Sequence, residues 1–138
     1  MLPSFHDEYL VRYEVDCEAR EIKLHIKPVA EQSGRSTVLF TGVEAYHFEN
    51  DAFGNIIFDL ETVALPGFIS EYRAELAESF RISGALGTWG SDLDDAPRIL
   101  SEKGVQAFVL SSSHGLSGWV LAREASAAPE IARDPPVI

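Results

Sequence analysis

Few side chains in this sequence could do chemistry, and most of them gather in one stretch. Between Val38 and Val63 the sequence VLFTGVEAYHFENDAFGNIIFDLETV holds Tyr46, His47, Glu49 and Asp51 within six residues, with Glu44, Asp59 and Glu61 nearby. On a regular strand His47 and Glu49 point the same way. A carboxylate beside an imidazole raises the imidazole pKa, an arrangement that can serve a metal, a proton transfer or a surface ion pair. No Lys or Arg occurs between Arg35 and Arg73, so the stretch is locally anionic.

The other reactive residue types do not assemble into a recognisable catalytic set. His6-Asp7 is a dipeptide that metal-dependent phosphohydrolases use only alongside further His and Asp ligands on helices, which this chain lacks. His25 falls on a Lys-bearing strand face, where solvation is expected, and His114 falls in a hairpin turn. Ser111, Ser112 and Ser113 precede His114 without nucleophile-elbow spacing. GTWGS and GLSG match neither a phosphate loop nor a dinucleotide fingerprint. One Cys and scattered His cannot supply zinc spacing. No catalytic residue, metal or cofactor is assigned. What remains is acidic and aromatic: Tyr46, His47, Glu49, Asp51 and Trp89 form the candidate protein-binding set, Trp89 because it sits in a glycine-rich loop. Aromatic anchors among acids suit an interface facing a basic partner. For Phe48, Phe53 and Trp119, burial in the core is the competing reading.

The composition narrows the partner. The 138 residues suit one domain with a real core, 46% hydrophobic and 24% charged. A net charge of -11 argues against general affinity for nucleic acid or anionic membrane and favours encounter with a basic protein. The single Cys17 excludes an internal disulfide framework. The N-terminal MLPSFHDEYLV lacks the pattern of a signal peptide, and no apolar run reaches the ~20 residues of a membrane helix. A cytoplasmic location is the expectation.

Periodicity supplies the elements that must position these residues. Tyr9, Val11, Tyr13, Val15 and Cys17 alternate with polar residues and predict a strand whose odd face is buried, Cys17 included. Ile22, Leu24 and Ile26 predict a second strand in a hairpin with the first. A third runs Thr37–Val43, with Gly42 at a bulge or close approach, and resumes through Tyr46 and Phe48. Asn50–Asn55 is a turn in which Gly54 is free to take positive φ. A fourth strand, Ile56–Val63, is antiparallel to the third if that turn closes a hairpin, and these two are expected at the middle of the sheet. Ile69, Tyr72, Leu76 and Phe80 predict an amphipathic helix over Phe68–Ile82 ending at Gly84, and a shorter helix follows near 95–103. Val105–Ser111 and Leu116–Arg123 predict a last hairpin. The expected fold is α+β: a mainly antiparallel sheet of about six strands, in the order four strands, two helices, two strands, with both helices on one face. Residues 1–124 form the domain and 125–138 an Ala/Pro-rich tail, mobile or laid across the surface.

The segments SFHDEYLVRYEVD, VLFTGVEAYHFEN, NIIFDLE and SSSHGLSGWVLARE resemble those of small bacterial domains related to immunity proteins of polymorphic toxin systems. In such proteins an HD pair precedes the first strand, a GV pair leads into an aromatic run, and GLSG turns into the last strand. The resemblance spans most of residues 4 to 124 and brings no catalytic residues with it. The helical insertion from Phe68 to Gly104 is longer than it implies.

The leading expectation is therefore a non-enzymatic protein-binding module, immunity-like, that neutralises a basic toxin. One alternative is a small-molecule or metal-binding protein built on His47, Glu49 and Asp51, joined by His6 and Asp7. Another is a homodimer without ligand, joined through a sheet edge or the tail.

Overall fold

The computed structural model describes residues 2–29, 34–84 and 88–130. Its strands are β1 (Tyr9–Asp16), β2 (Glu21–Lys27), β3 (Ser36–Glu49), β4 (Asn55–Val63), β5 (Gln106–His114) and β6 (Ser117–Pro129). Helix α1 (Leu65–Ser83), a short 3-10 turn (Thr88–Gly90) and helix α2 (Ala96–Glu102) lie between β4 and β5. Every strand pairing is antiparallel. The sheet closes into a barrel in the order β1-β2-β3-β6-β5-β4. The α+β class and antiparallel sheet are as expected, but the strand order is not. β3 and β4 do not form a hairpin: β3 pairs with β2 and β6, and β4 with β1 and β5. β3 finds its long partner in β6, from Ser36↔Pro129 to Glu49↔Ser117, so the 50–54 turn carries the chain away from β3. A closed barrel has no middle strand, and Val38–Val63 cannot be the centre of one.

The pairing with β3 also explains why β6 outruns expectation. Ala125–Pro129, read as the start of a tail, pair with Ser36–Phe40 and continue the ladder. Small Ala side chains give little apolar signal by themselves, yet Ala125 and Ala127 pack against the barrel core.

Two apolar cores share the barrel wall. The interior core holds Leu10, Ile22, Leu24, Ile26, Val38, Phe40, Ile57, Leu110 and Val120, among others. Alternate residues of the same strands, Ala107, Trp119 and Leu121, face outward into a second core with Phe68, Ile69 and Leu76 of α1, Leu100 of α2, and Trp89. This is the period of two read on both faces of one strand. Each large side chain so buried contributes roughly 1.5–3 kcal/mol. Pro66 sits in the first turn of α1, and Gly84, at φ 61°, ends it by donating its N–H to the Phe80 carbonyl. Among the described residues no helix is long and apolar enough to cross a membrane.

β1 departs from its alternation. A bulge between Leu10 and Arg12 shifts the register against β2, and a one-residue shift exchanges the two faces. Leu10, expected outside, is therefore buried, while Tyr9 and Val11 are exposed. Beyond the bulge Val15 packs on the interior core, but the strand ends at Asp16. Cys17 falls in the following turn and is exposed, not buried as its place in the pattern implied.

Candidate functional site

Closure of the barrel is short, and this creates the most distinctive surface. β1 pairs with β4 only through Tyr9↔Ile56 and Leu10↔Asn55, reinforced by the bonds Asp7 N–H to Ile57 O and Ile57 N–H to Glu8 O, both 2.8 Å. From Arg12 to Asp16 the edge of β1 away from β2 has no strand partner among the described residues. An open edge presents unpaired backbone donors and acceptors to any extended chain that reaches it.

Aromatic residues line that opening. Tyr46 contacts Phe48 (ring centroids 5.4 Å apart), and Phe48 meets Tyr13 edge-on at 5.7 Å. The Tyr13 hydroxyl donates to Asp51 Oδ2 at 3.0 Å. Asp51 also accepts from the Phe53 N–H at 2.9 Å and from Asn55 Nδ2 at 3.0 Å. These donors, the Phe53 amide first, hold the Asp51 carboxyl below the usual carboxylate range. Asp51 is thus the knot of a turn. Its turn partner Asn55 is buried, and Asn55 Oδ1 accepts from the N–H groups of Leu116 (2.8 Å) and Ala52 (3.1 Å).

The turn places Phe53 at 100% exposure with φ 59°. The positive φ expected at Gly54 is taken by Phe53 instead, because Asp51 fixes the Phe53 amide. A bulky residue in this region is rare and costly, and here it gains no burial in return.

A hollow of about 330 Å³ lies beside the aromatic row, lined by Val15, Ile22, Val43, Tyr46, Arg20 and Glu44, among others. Its rim is acidic. Asp16 and Glu21 sit opposite each other across the hairpin, a placement that like charges disfavour. Asp16 Oδ1 caps the turn through the N–H groups of Glu18 and Ala19. Cations answer part of this charge: Lys103 (3.2 Å) and Arg20 (4.0 Å) flank Glu44, and Arg12 pairs with Glu14, whereas Arg73, Arg81 and Arg98 pair with Asp94, Glu78 and Glu102.

The five candidate binding residues separate into three places. Tyr46 lies on the open rim, and Asp51 holds the turn beside it. His47 and Glu49 project on the other face of β3, where His47 Nε2 lies 3.5 Å from Glu49 and 3.3 Å from Glu75 of α1, its ring stacked on Trp119. Trp89 is 2% exposed, packed in the second core with residues of α1, α2 and the barrel wall, and is no surface anchor. Trp119 is core as well, whereas Phe53 is the exposed aromatic that the core reading had claimed. His47, Glu49 and Asp51 thus do not share one site, and among the described residues no group of three or more His, Cys, Asp or Glu could hold a metal. His6 pairs with Asp7 at 3.3 Å and bonds the Phe58 carbonyl through Nδ1, at the far end of the β1–β4 seam.

Sequence reading missed His25, Tyr13 and Asn55. The structure half-buries His25 between Glu14 and Glu130, each at 3.0 Å. It is not merely solvated, because β6 continues far enough to bring Glu130 over it. The His25 bond, with Arg12 assisting, lowers the Glu14 pKa. Tyr13 and Asn55 carry no local signal, since both act on residues across the barrel seam or on the β5–β6 turn.

No protein-family model matches the chain, and no match was found among curated proteins or solved structures. The class is defined by its own geometry: a six-stranded antiparallel barrel with a helical flank and, over Arg12–Asp16 of β1, a stretch of strand edge without a strand partner among the described residues.

Proposed function

We propose that the chain is a non-enzymatic binding module for a basic protein, and that the partner lays an extended segment along the open edge of β1. Neutralising a basic toxin is the role implied by the resemblance to immunity-like domains. The observation that carries the reading is Phe53, an aromatic fully exposed and held at positive φ beside an open strand edge. Such a residue weakens the free chain and makes sense as an anchor for something else. Strand addition would satisfy the edge, the hollow beside Tyr46 would take an apolar side chain, and Asp16, Glu18 and Glu21 would meet basic ones.

The test is titration calorimetry with two peptides, one alternating Lys and Val and the other alternating Glu and Val. The Lys peptide should bind, more weakly as salt rises, and should lose most of its affinity to Phe53→Ser or Tyr46→Ser. Equal binding of the two peptides, or affinity indifferent to both substitutions, would remove this surface from the function. A second copy of the chain could use the same edge, and light scattering at two concentrations separates that outcome.

A further inference from the structure

His25 ties the hairpin of β1 and β2 to the far end of β6 through its ring. Its Nε2 lies 3.0 Å from Glu14 of β1, and its Nδ1 lies 3.0 Å from Glu130, the residue that follows β6. Thr37 Oγ1 of β3 is 3.5 Å from that same Nδ1. The register brings these groups together, since Arg12, His25, Thr37 and Ala128 stand abreast across β1, β2, β3 and β6. Pro129 brings no N–H to the ladder. Glu130 closes that end instead, through its N–H to the Arg35 carbonyl at 2.8 Å and its carboxylate to His25.

Two carboxylates on one imidazole constrain its protonation. An ionised carboxylate only accepts hydrogen bonds, and a neutral imidazole has a single N–H to donate. Both bonds therefore exist together only on the imidazolium. The charged groups facing the ring are Glu14 and Arg12 of β1, which pair with each other, Lys23 and Lys27 on the same face of β2, and Glu130. From β3 the ring meets the uncharged Thr37 hydroxyl. When the ring is neutral, its two ends are no longer equivalent. Thr37 stands ready to donate to a bare Nδ1, so Nε2–H stays on Glu14 and a lone pair turns toward Glu130. The His25 bond is also the main reason that the Glu14 pKa is lowered, which keeps that end of the ring on an ionised partner.

We infer that His25 is a proton-operated latch on the end of β6. The charged ring fastens Glu130 to the β1–β2 hairpin, and the neutral ring keeps Glu14, takes the Thr37 hydroxyl and releases Glu130. The latch is closed while the ring is charged and both carboxylates are ionised. It opens as pH rises and the ring gives up its proton, the reverse of the acid-side loss expected of a carboxylate alone. Opening loosens the last residues of β6 from the start of β3 and leaves the rest of the barrel in place. The inference is independent of partner binding at the β1 edge, since it uses neither that edge nor Phe53.

The experiment follows the full chain by NMR as pH rises, reading the ring nitrogens of His25 and the exchange of backbone amides. Deprotonated His25 should show the Nε2–H tautomer. Over the same titration the protection of the Glu130 amide, corrected for the intrinsic rise of exchange with pH, should fall about two- to fivefold, the worth of one partly exposed ion pair. The amides of β2 that bond to β1 should keep theirs. Glu130→Gln should abolish the fall, because its amide group can donate to a neutral Nδ1 or accept from a charged one. Thr37→Val should leave the deprotonated ring divided between its two tautomers. Glu130 protection that does not change as the ring titrates, an equal fall in Glu130→Gln, or a deprotonated ring in the Nδ1–H form overturns the inference.

Discussion

Replacing Asn55 with Ala should destabilise the fold far more than its place in a surface turn implies. Asn55 is 5% exposed, and its amide makes three bonds: from Leu116 N–H at 2.8 Å, from Ala52 N–H at 3.1 Å, and to Asp51 at 3.0 Å. The Leu116 bond joins the turn after β3 to the turn between β5 and β6, 61 residues apart. Truncation strands a buried donor at Leu116, which costs about 1–3 kcal/mol. The other two bonds lie nearer solvent and add about 0.5–1 kcal/mol together, because water replaces them. The expected loss is roughly 1.5–4 kcal/mol, a large part of the stability of a domain this size. Gly115, whose would-be Cβ comes 2.0 Å from Asn55 Oδ1, leaves no nearby side chain to take over. Urea unfolding followed by Trp fluorescence measures the change as a lower midpoint with an unchanged slope. A loss under about 0.5 kcal/mol would mean that water reaches Leu116, and the turn would not be fastened to the β5–β6 hairpin as argued.

Other consequences can be checked by similar means. Phe53→Asn should raise stability by about 0.5–1 kcal/mol, since Asn tolerates positive φ where Phe does not, and should weaken binding of the Lys peptide. A destabilised variant would show that Phe53 is supported by packing in solution. Trp89→Ala should cost about 3–5 kcal/mol as a core truncation, and a neutral result would return Trp89 to the surface. Gly118→Ala should prevent folding or cost more than about 4 kcal/mol. Gly118 lies at φ 155°, and an added Cβ would fall 1.9 Å from the His47 carbonyl oxygen, which circular dichroism of the purified variant would report. Acid titration carries the signature of Asp51 and Glu14. Both have folded pKa values below their unfolded ones, so their contribution is complete above the ordinary carboxylate range and is lost as pH falls through the folded values. Asp51→Asn should flatten that acid limb, and an unaltered limb would assign it to other carboxylates.

Much of the barrel could be read from the sequence because its strands alternate. Ile22, Leu24 and Ile26 are all fully buried, and the Gly84 stop of α1 stands where expected. What could not be read depends on contacts distant in sequence. Nothing local to Asn50–Gly54 says whether the turn closes a hairpin or leads to another strand. That was decided by the long match of β3 with β6. The bulge near Val11 changes the face of β1 without any Gly or Pro to mark it. The candidate site was legible as a region and illegible as a geometry. The acids and aromatics of Tyr46–Asp51 were visible, but strand alternation divides them, with Tyr46 at the rim and His47 and Glu49 under α1. Phe53 looked like core because it is apolar, and Trp89 looked exposed because its neighbours are glycines.

The central claim is that the outer edge of β1 receives another chain, and amide hydrogen exchange measures it most directly. In the free protein, the amides of Arg12–Asp16 that do not bond to β2 should exchange quickly. With the Lys–Val peptide bound, the same amides should become protected, together with those of the 50–54 turn, while β2 and β6 stay unchanged. Protection confined to α1 and the β3–β6 wall, or none anywhere at saturating peptide, would contradict the account.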